Sequence, residues 1–264
     1  MSSTTTAPPQ QQALGAPELR SPRMGDLAAA LRLGAADFRK HPFYGLIFAS
    51  FYILAGWVMV GVTMATGHSF WLVLAAIGFP LLGPFAAVGL YEVSRRLQAG
   101  LPVPASAVFG VIWQQRLRQL PSLCTMMVVI FMFWFFLGHM IFALFLGLTT
   151  MTNISTSYEV FFTLNGLSML AFGSAVGGVF ALLIYSISVI GLPLLLDREI
   201  DFITAMITSI GMVRQTPGVM LIWGALIAGL SFAAMLPGFL GLWIVLPLLG
   251  HASWHLYRLL LEPG

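Results

Sequence analysis

Histidines are the side chains of this chain best suited to hold a redox cofactor. His251 and His255 are four residues apart, so they share one face of a helix, and His139 lies in a separate apolar run. Histidines on facing helices can supply the axial ligands of a haem. These three are therefore candidate haem ligands. The alternative is that His251 and His255 lie at a membrane interface beside Trp254 and Tyr257, as amphipathic side chains commonly do.

Two charged clusters are the candidates for a ligand-binding or partner-binding site. Glu92 with Arg95 and Arg96 follows one apolar run, and Asp197 with Arg198 follows another. Ionisable groups at membrane depth are usually paired and functional. The alternative is that they pair with each other or with anionic lipid headgroups. We predict no catalytic residue, because no phosphate-binding loop, dinucleotide-binding glycine motif or nucleophile elbow is present in the sequence.

The composition indicates that the bilayer is the solvent of this chain. Of its 264 residues, 59% are hydrophobic and 8% are charged, and the mean hydropathy is +0.93. Soluble domains carry about 25% charged residues. The lone Cys124 excludes an intrachain disulfide and a cysteine-based metal site, and no other metal site is predicted. The net charge of +3 is no sign of nucleic-acid binding, because the basic residues fall into a few short clusters.

The apolar runs predict an all-α membrane protein with six transmembrane helices arranged as three hairpins. Each run is about as long as a helix needs to cross a bilayer. The two middle runs are longer, so we expect tilt, projection beyond the bilayer, or a kink near Gly177–Gly178 or Pro193. The composition of residues 1–24 predicts a disordered cytoplasmic tail, and residues 25–264 are predicted to form a single transmembrane domain. The spans lie at about 43–65, 70–91, 121–148, 166–196, 217–236 and 238–257.

Each hairpin is preceded by a predicted amphipathic helix, which is followed by a proline that opens the hairpin. This helix together with its proline occurs at 26–42, 105–121 and 201–217. In the first of these helices, Asp37 falls on the polar side, opposite Leu27 and Phe38. In the second, the apolar face is expected to include Val108, Trp113 and Leu117. In the third, the apolar stripe is expected at Ile203, Met206, Ile210 and Val213. The recurrence suggests three parallel repeats. The alternative is that any chain with an even number of spans shows basic residues and proline at such helix starts.

The positions of the basic residues predict the orientation. All twelve Lys and Arg lie on the side that six spans assign to both termini, whereas the turns at 66–69, 149–165 and 237–238 hold none. Basic residues accumulate on the cytoplasmic side of membrane proteins. We therefore place both termini in the cytoplasm and the protein in a bacterial inner membrane. Close helix packing is expected at Gly173 and Gly177, which have the spacing of small residues at helix interfaces.

Three blocks resemble a known family: residues 89–96 (GLYEVSRR), 193–198 (PLLLDR) and 247–258 (PLLGHASWHLYR). The family is a bacterial group of predicted integral membrane proteins, the domain of unknown function DUF2189, and the resemblance runs from about residue 25 to the C-terminus. It implies no established activity. Some members carry the label of cytochrome c oxidase subunit I, but a haem–copper oxidase has twelve helices and about six histidine ligands, and this chain predicts six helices and has five histidines.

Three classes of function are compatible with the sequence. The first is a non-enzymatic membrane protein that assists, assembles or regulates a membrane complex, and the lack of a chemical motif favours it. The second is a small-molecule transporter or channel. The third is a haem-binding redox protein. The expected partners are the lipid bilayer and, as a further candidate, another membrane protein complex. No cofactor is required by the first two classes.

Overall fold

The computed structural model describes residues 13–67, 72–147 and 158–261. Within them the chain is helical apart from two two-residue strands and short connections. The strands are β1 (Ala13–Leu14) and β2 (Arg198–Glu199), which pair in parallel. The helices are α1 (Met24–Lys40), α2 (Pro42–Thr66), α3 (Leu72–Gln98), α4 (Ala105–Gln115), α5 (Leu120–Leu146), α6 (Leu164–Ser188), α7 (Gly191–Asp197), α8 (Phe202–Gln215), α9 (Pro217–Met235) and α10 (Leu242–Leu260), with a 3₁₀ turn at Tyr158–Phe162.

The helix boundaries follow local chemistry. Prolines stand in the first turns of α2, α5 and α9, where the missing N–H is not needed. Gly67 ends α2 in the left-handed region, with φ of 67°. The Asp201 side chain caps α8 by accepting a hydrogen bond from the Thr204 amide.

Four helical segments among the described residues are long and apolar enough to cross a membrane: Pro42–Thr66, Leu120–Leu146, Leu164–Asp197 and Pro217–Met235. They correspond to the predicted first, third, fourth and fifth spans. The third of these segments comprises α6 and α7, which are separated at Val189–Ile190. Pro193 explains the break, because it cannot donate a hydrogen bond to the carbonyl of Val189. The predicted kink therefore falls at Pro193. The arrangement of six spans in three hairpins stays a prediction.

Helix α1 packs along α10 and contributes Leu27 and Ala30 to the main hydrophobic core. The two helices approach closely at Gly34, where an added Cβ would lie 2.6 Å from the backbone N of Ala252. The segment before α1 also contacts this region, because the Arg20 amide donates to the Leu260 carbonyl at 2.9 Å. Within the segment predicted as a disordered tail, Ala13–Leu14 thus pair with β2, and Leu19 and Arg20 pair with Leu261 and Leu260 at the end of α10.

The other two predicted surface helices use different faces. In α4, Val108 of the predicted apolar face is buried, but Trp113 is 63% exposed, and Leu117, which follows α4, is 80% exposed. The apolar stripe predicted for α8 is wrong in part, because Ile203 is exposed. The residues that α8 buries are Ala205, Ser209, Met212 and Val213. Small residues face the neighbouring helices here because α8 crosses under α6 and α7 at short range, with the Ser209 hydroxyl accepting from the Ile190 amide at 3.1 Å.

Candidate functional site

Three helices meet at a polar junction formed by α1, α3 and α10. The His255 Nε2 lies 2.6 Å from Asp37 Oδ2, and the His255 Nδ1 lies 3.0 Å from Gln98 Nε2. The Trp254 indole donates to Gln98 Oε1 at 2.9 Å. Because the indole can only donate, Gln98 must present its oxygen to Trp254 and its amide N–H to His255. His255 therefore accepts at Nδ1 and donates from Nε2 to Asp37, which is the neutral form of the ring.

Asp37 is held as a carboxylate by its neighbours. Burial alone would raise its pKa, but hydrogen bonds from His255 and Ser94 outweigh that effect, and the pKa of Asp37 lies below its ordinary value. Ser94 also contacts His251, since its Oγ lies 2.8 Å from His251 Nδ1. The His251 side chain is fully buried, and its Nε2 has no hydrogen-bond partner among the described residues.

The predicted cluster at Glu92 is brought together, but it forms a closed structural unit. Glu92 is buried and accepts from Arg95 Nε at 2.7 Å and from Arg96 Nε at 2.8 Å. Arg96 also donates to the Pro102 carbonyl at 2.9 Å. The cluster therefore ties the end of α3 to the turn that leads into α4.

The predicted pair Asp197 and Arg198 joins the last helix. The Tyr257 hydroxyl donates to Asp197 Oδ2 at 2.7 Å, and Arg258 Nη1 lies 3.3 Å from Asp197 Oδ1. The Arg198 Nε is farther, at 3.7 Å from Asp197 Oδ2. Asp197 thus anchors α7 to α10. The contributions of Asp37, Gln98 and Tyr257 to these networks were not predicted, because their partners are distant in sequence.

The three candidate haem ligands lie in two different environments. His139 is exposed on α5, and its Nδ1 lies 2.9 Å from the Phe135 carbonyl of its own helix. His251 and His255 are buried on α10, and both ring nitrogens of His255 already have partners. Within the described ranges, no group of three or more His, Cys, Asp or Glu side chains is placed to hold a metal ion. Ligation of a haem by these residues stays a prediction.

A central cavity of about 820 Å³ lies among the helices. It is lined by residues of seven helices, α2, α3, α5, α6, α7, α9 and α10. No charged side chain is among its described lining residues. Its size lies within the range of roughly 300–1,000 Å³ that is typical of ligand pockets. Representative lining residues are Phe48, Tyr91, Trp134, Tyr185, Ala225 and Gly250.

Small side chains leave this space open. Gly83, Ala87, Gly224 and Ala228 line the cavity on α3 and α9. The glycine predicted to pack closely in α6 does so: a Cβ at Gly177 would lie 3.0 Å from the Trp134 indole nitrogen. The bulky Trp134 of α5 thus rests on α6, while the neighbouring small residues keep the remaining space unfilled.

The cavity is open between α6 and α9. Leu182 on α6 and Leu221 on α9 line it and are also 41% and 46% exposed. Tyr185 ties these two helices together at one level, because its hydroxyl donates to the Met220 carbonyl at 2.6 Å and its ring rests on Gly224. The exposed side of the cavity therefore lies between α6 and α9.

The region that builds most of these features has a recognisable sequence pattern. Residues 72–197 match the family described as predicted integral membrane protein (DUF2189). This match confirms the resemblance over residues 72–197 and takes in α3 to α7, with the Glu92 cluster, Asp197 and four of the seven helices that line the cavity. Neither a curated protein nor a solved structure matches the chain.

Proposed function

We propose that this multi-pass membrane protein binds an apolar small molecule taken from the bilayer and carries it as a non-enzymatic carrier or transporter. The observation that supports this proposal is the uncharged cavity of about 820 Å³ with its opening between α6 and α9. Among the three classes considered from the sequence, it favours the small-molecule transporter over the assembly role.

The free energy of an unfilled apolar space indicates that another molecule occupies the cavity. An empty apolar space costs free energy, because the side chains around it lose dispersion contacts on that side. Water is a poor occupant because apolar walls offer it few hydrogen bonds. A molecule with an apolar surface is therefore the favoured occupant.

The polar junction has a structural role in this proposal, because it holds the helices around the cavity in position. His255, Asp37 and Glu92 are satisfied by hydrogen bonds within the protein. Such closed networks fix the positions of helices and leave little capacity for an external ligand. We therefore assign binding to the cavity and helix positioning to the charged residues.

The membrane arrangement that accompanies this function is also a proposal. We place six spans in a bacterial inner membrane, with both termini and the helices α1, α4 and α8 on the cytoplasmic side. Helices α3 and α10 complete the six because they pack against α2 and line the same cavity as the four candidate spans. The distribution of the twelve basic residues supports the orientation. A threefold internal repeat would account for the three prolines that open α2, α5 and α9.

A second candidate function, assembly or regulation of another membrane complex, is favoured by His139. This residue is exposed on α5 together with Phe136 and Met140. Ionisable side chains within membranes usually face protein, so a partner helix would suit this face. A photo-crosslinking amino acid at Met140 tests this role in cells, with exposed Val179 on α6 as the control site. A specific protein adduct from position 140 alone supports assembly, and equal adducts from both sites count against it.

The proposed binding is tested with a diazirine-bearing alkane added to the protein in phosphatidylcholine nanodiscs. We expect photolabelling of cavity residues such as Trp134. Ala228→Trp should suppress it, because Ala228 lines the cavity. Ala233→Trp is the matched control, since Ala233 is exposed on the same helix and does not line it. Labelling confined to outward-facing residues, or unchanged by Ala228→Trp, would contradict the proposal.

A further inference from the structure

We infer that the cavity selects a neutral, single-chain amphiphile, such as a long-chain alcohol, whose hydrogen-bonding head lies near Tyr91 and Ser253. This inference rests on the proposed function and adds the chemical class and orientation of the ligand. It follows from the absence of lining charge, from the hydroxyl groups of the wall and from the position of the opening.

The residues that line the cavity indicate that the ligand is uncharged. Among the described lining residues there is no Asp, Glu, Lys, Arg or His. A charged head would lose its hydration in this cavity without gaining an ionic partner, and the cost of burying an unpaired charge is large. A fatty-acid carboxylate or a phospholipid headgroup is therefore disfavoured, whereas a hydroxyl or carbonyl head is acceptable.

Three hydroxyl groups of the wall remain available to such a head, and two of them lie on neighbouring helices. Tyr91, Ser253 and Ser231 line the cavity, and none of their hydroxyls makes a hydrogen bond to another described residue. Tyr91 and Ser253 lie on adjacent helices, because the Tyr91 ring stacks on Trp254, the residue that follows Ser253, whereas Ser231 is the single available hydroxyl on α9. A polar group in an apolar site costs free energy when it has no partner. A ligand head that bonds to Tyr91 and Ser253 removes this cost.

The positions of these hydroxyls along the helices set the orientation of the ligand. Tyr91 and Ser253 are each seven residues from the ends of α3 and α10, about 10 Å at the helical rise. Trp134 is fourteen residues from the start of α5, about 21 Å from the same side. The ligand head therefore lies on the side of the polar junction, and the chain extends towards Trp134.

The opening restricts how a ligand enters. Tyr185 closes the space between α6 and α9 where its hydroxyl reaches Met220. Further along these helices, the lining residues Ala181 and Ala228 are small and exposed. A single chain fits through a gap between alanines, whereas a two-chain lipid is held at the membrane surface by its large headgroup. Entry from the bilayer thus favours a slender molecule.

The test compares four diazirine probes of equal chain length in the same nanodiscs: an alcohol, an alkane, a fatty acid and a two-chain phosphatidylcholine. We expect the alcohol to label the cavity most, the alkane less, and the two others least. Tyr91→Phe and Ser253→Ala should each lower labelling by the alcohol by roughly fivefold, the value of one hydrogen bond of about 1 kcal/mol. Labelling by the alkane should not change, which also shows that the variants fold.

Ser231→Ala provides the matched control, because Ser231 is a lining residue of α9 about 21 Å from the start of that helix. We expect it to leave labelling by the alcohol unchanged, and an equal loss in this variant would overturn the orientation. If the alkane labels the cavity but the alcohol shows no preference, or if the fatty acid matches it, the inference on ligand class is wrong and the proposed function stands. If no probe labels the cavity, the proposed function fails.

Discussion

His255 Nε2 and Asp37 Oδ2 lie 2.6 Å apart, although 218 positions separate the two residues in the chain. This hydrogen bond joins the first helix to the last and places a neutral imidazole against a carboxylate. His255 also accepts a hydrogen bond from Gln98 on α3, so the polar junction links three helices.

Asp37→Asn should loosen α1 from α10. The amide loses the charge-assisted hydrogen bond, which is worth about 1.5–3 kcal/mol in proteins. We expect a lower thermal unfolding temperature in detergent and faster hydrogen exchange in α1. Asp26→Asn is the control on the same helix, because its ion pair with Arg20 at 2.7 Å is partly exposed and such pairs are worth less. An equal loss of stability in both variants would show that the junction has no special role.

Stability should depend on pH through the same carboxylate. The pKa of Asp37 is lowered in the folded protein, so its contribution is present above the unfolded value of about 3.9 and is lost as pH falls through the lower folded value. Unfolding measured from pH 7 down to pH 3 should therefore show a decrease only in the acidic range. The decrease should be smaller for Asp37→Asn than for the unmodified protein, and identical profiles would contradict the assignment.

Gly34→Ala should destabilise the protein by separating α1 from α10. The new Cβ would lie 2.6 Å from the backbone of Ala252, and overpacking of this kind typically costs about 1–3 kcal/mol. Gly25→Ala is the matched control near the start of α1, where nothing lies within 4 Å of an added Cβ. It should be neutral or slightly stabilising, since alanine favours helix over glycine. Chemical denaturation in detergent compares the two, and an unaffected Gly34→Ala would refute the close contact.

The orientation should be visible by labelling with a membrane-impermeant maleimide. Ser106→Cys and Asn165→Cys place exposed thiols in the first turns of α4 and α6, whereas the native Cys124 is buried. In intact spheroplasts we expect labelling at position 165 and protection at position 106 until the membrane is permeabilised. The unmodified protein is the control for Cys124. The reverse pattern of labelling would invert the proposed topology.

Much of the fold could be predicted from local features. Apolar runs predict helices of membrane length, and prolines at 42, 121 and 217 predict where three of them begin. The break before Pro193 and the pairing of Glu92 with Arg95 and Arg96 are local as well, because a missing N–H and a spacing of three or four residues act within one helix. The sequence predicted these charges as a cluster that is a candidate partner site. Pairing of the charges with each other was the alternative that the sequence also allowed.

The sequence by itself determined that this chain is a helical membrane protein, because long runs of apolar residues are more stable in the bilayer than in water. Tertiary structure alone decided that Asp37 meets His255 and that seven helices leave a cavity between them. In a chain where nearly every helical face is apolar, periodicity does not tell a lipid-facing side from a cavity wall. A void depends on how small residues of several helices, such as Gly83 and Ala228, coincide in space. That coincidence is a property of packing, which no single helix encodes.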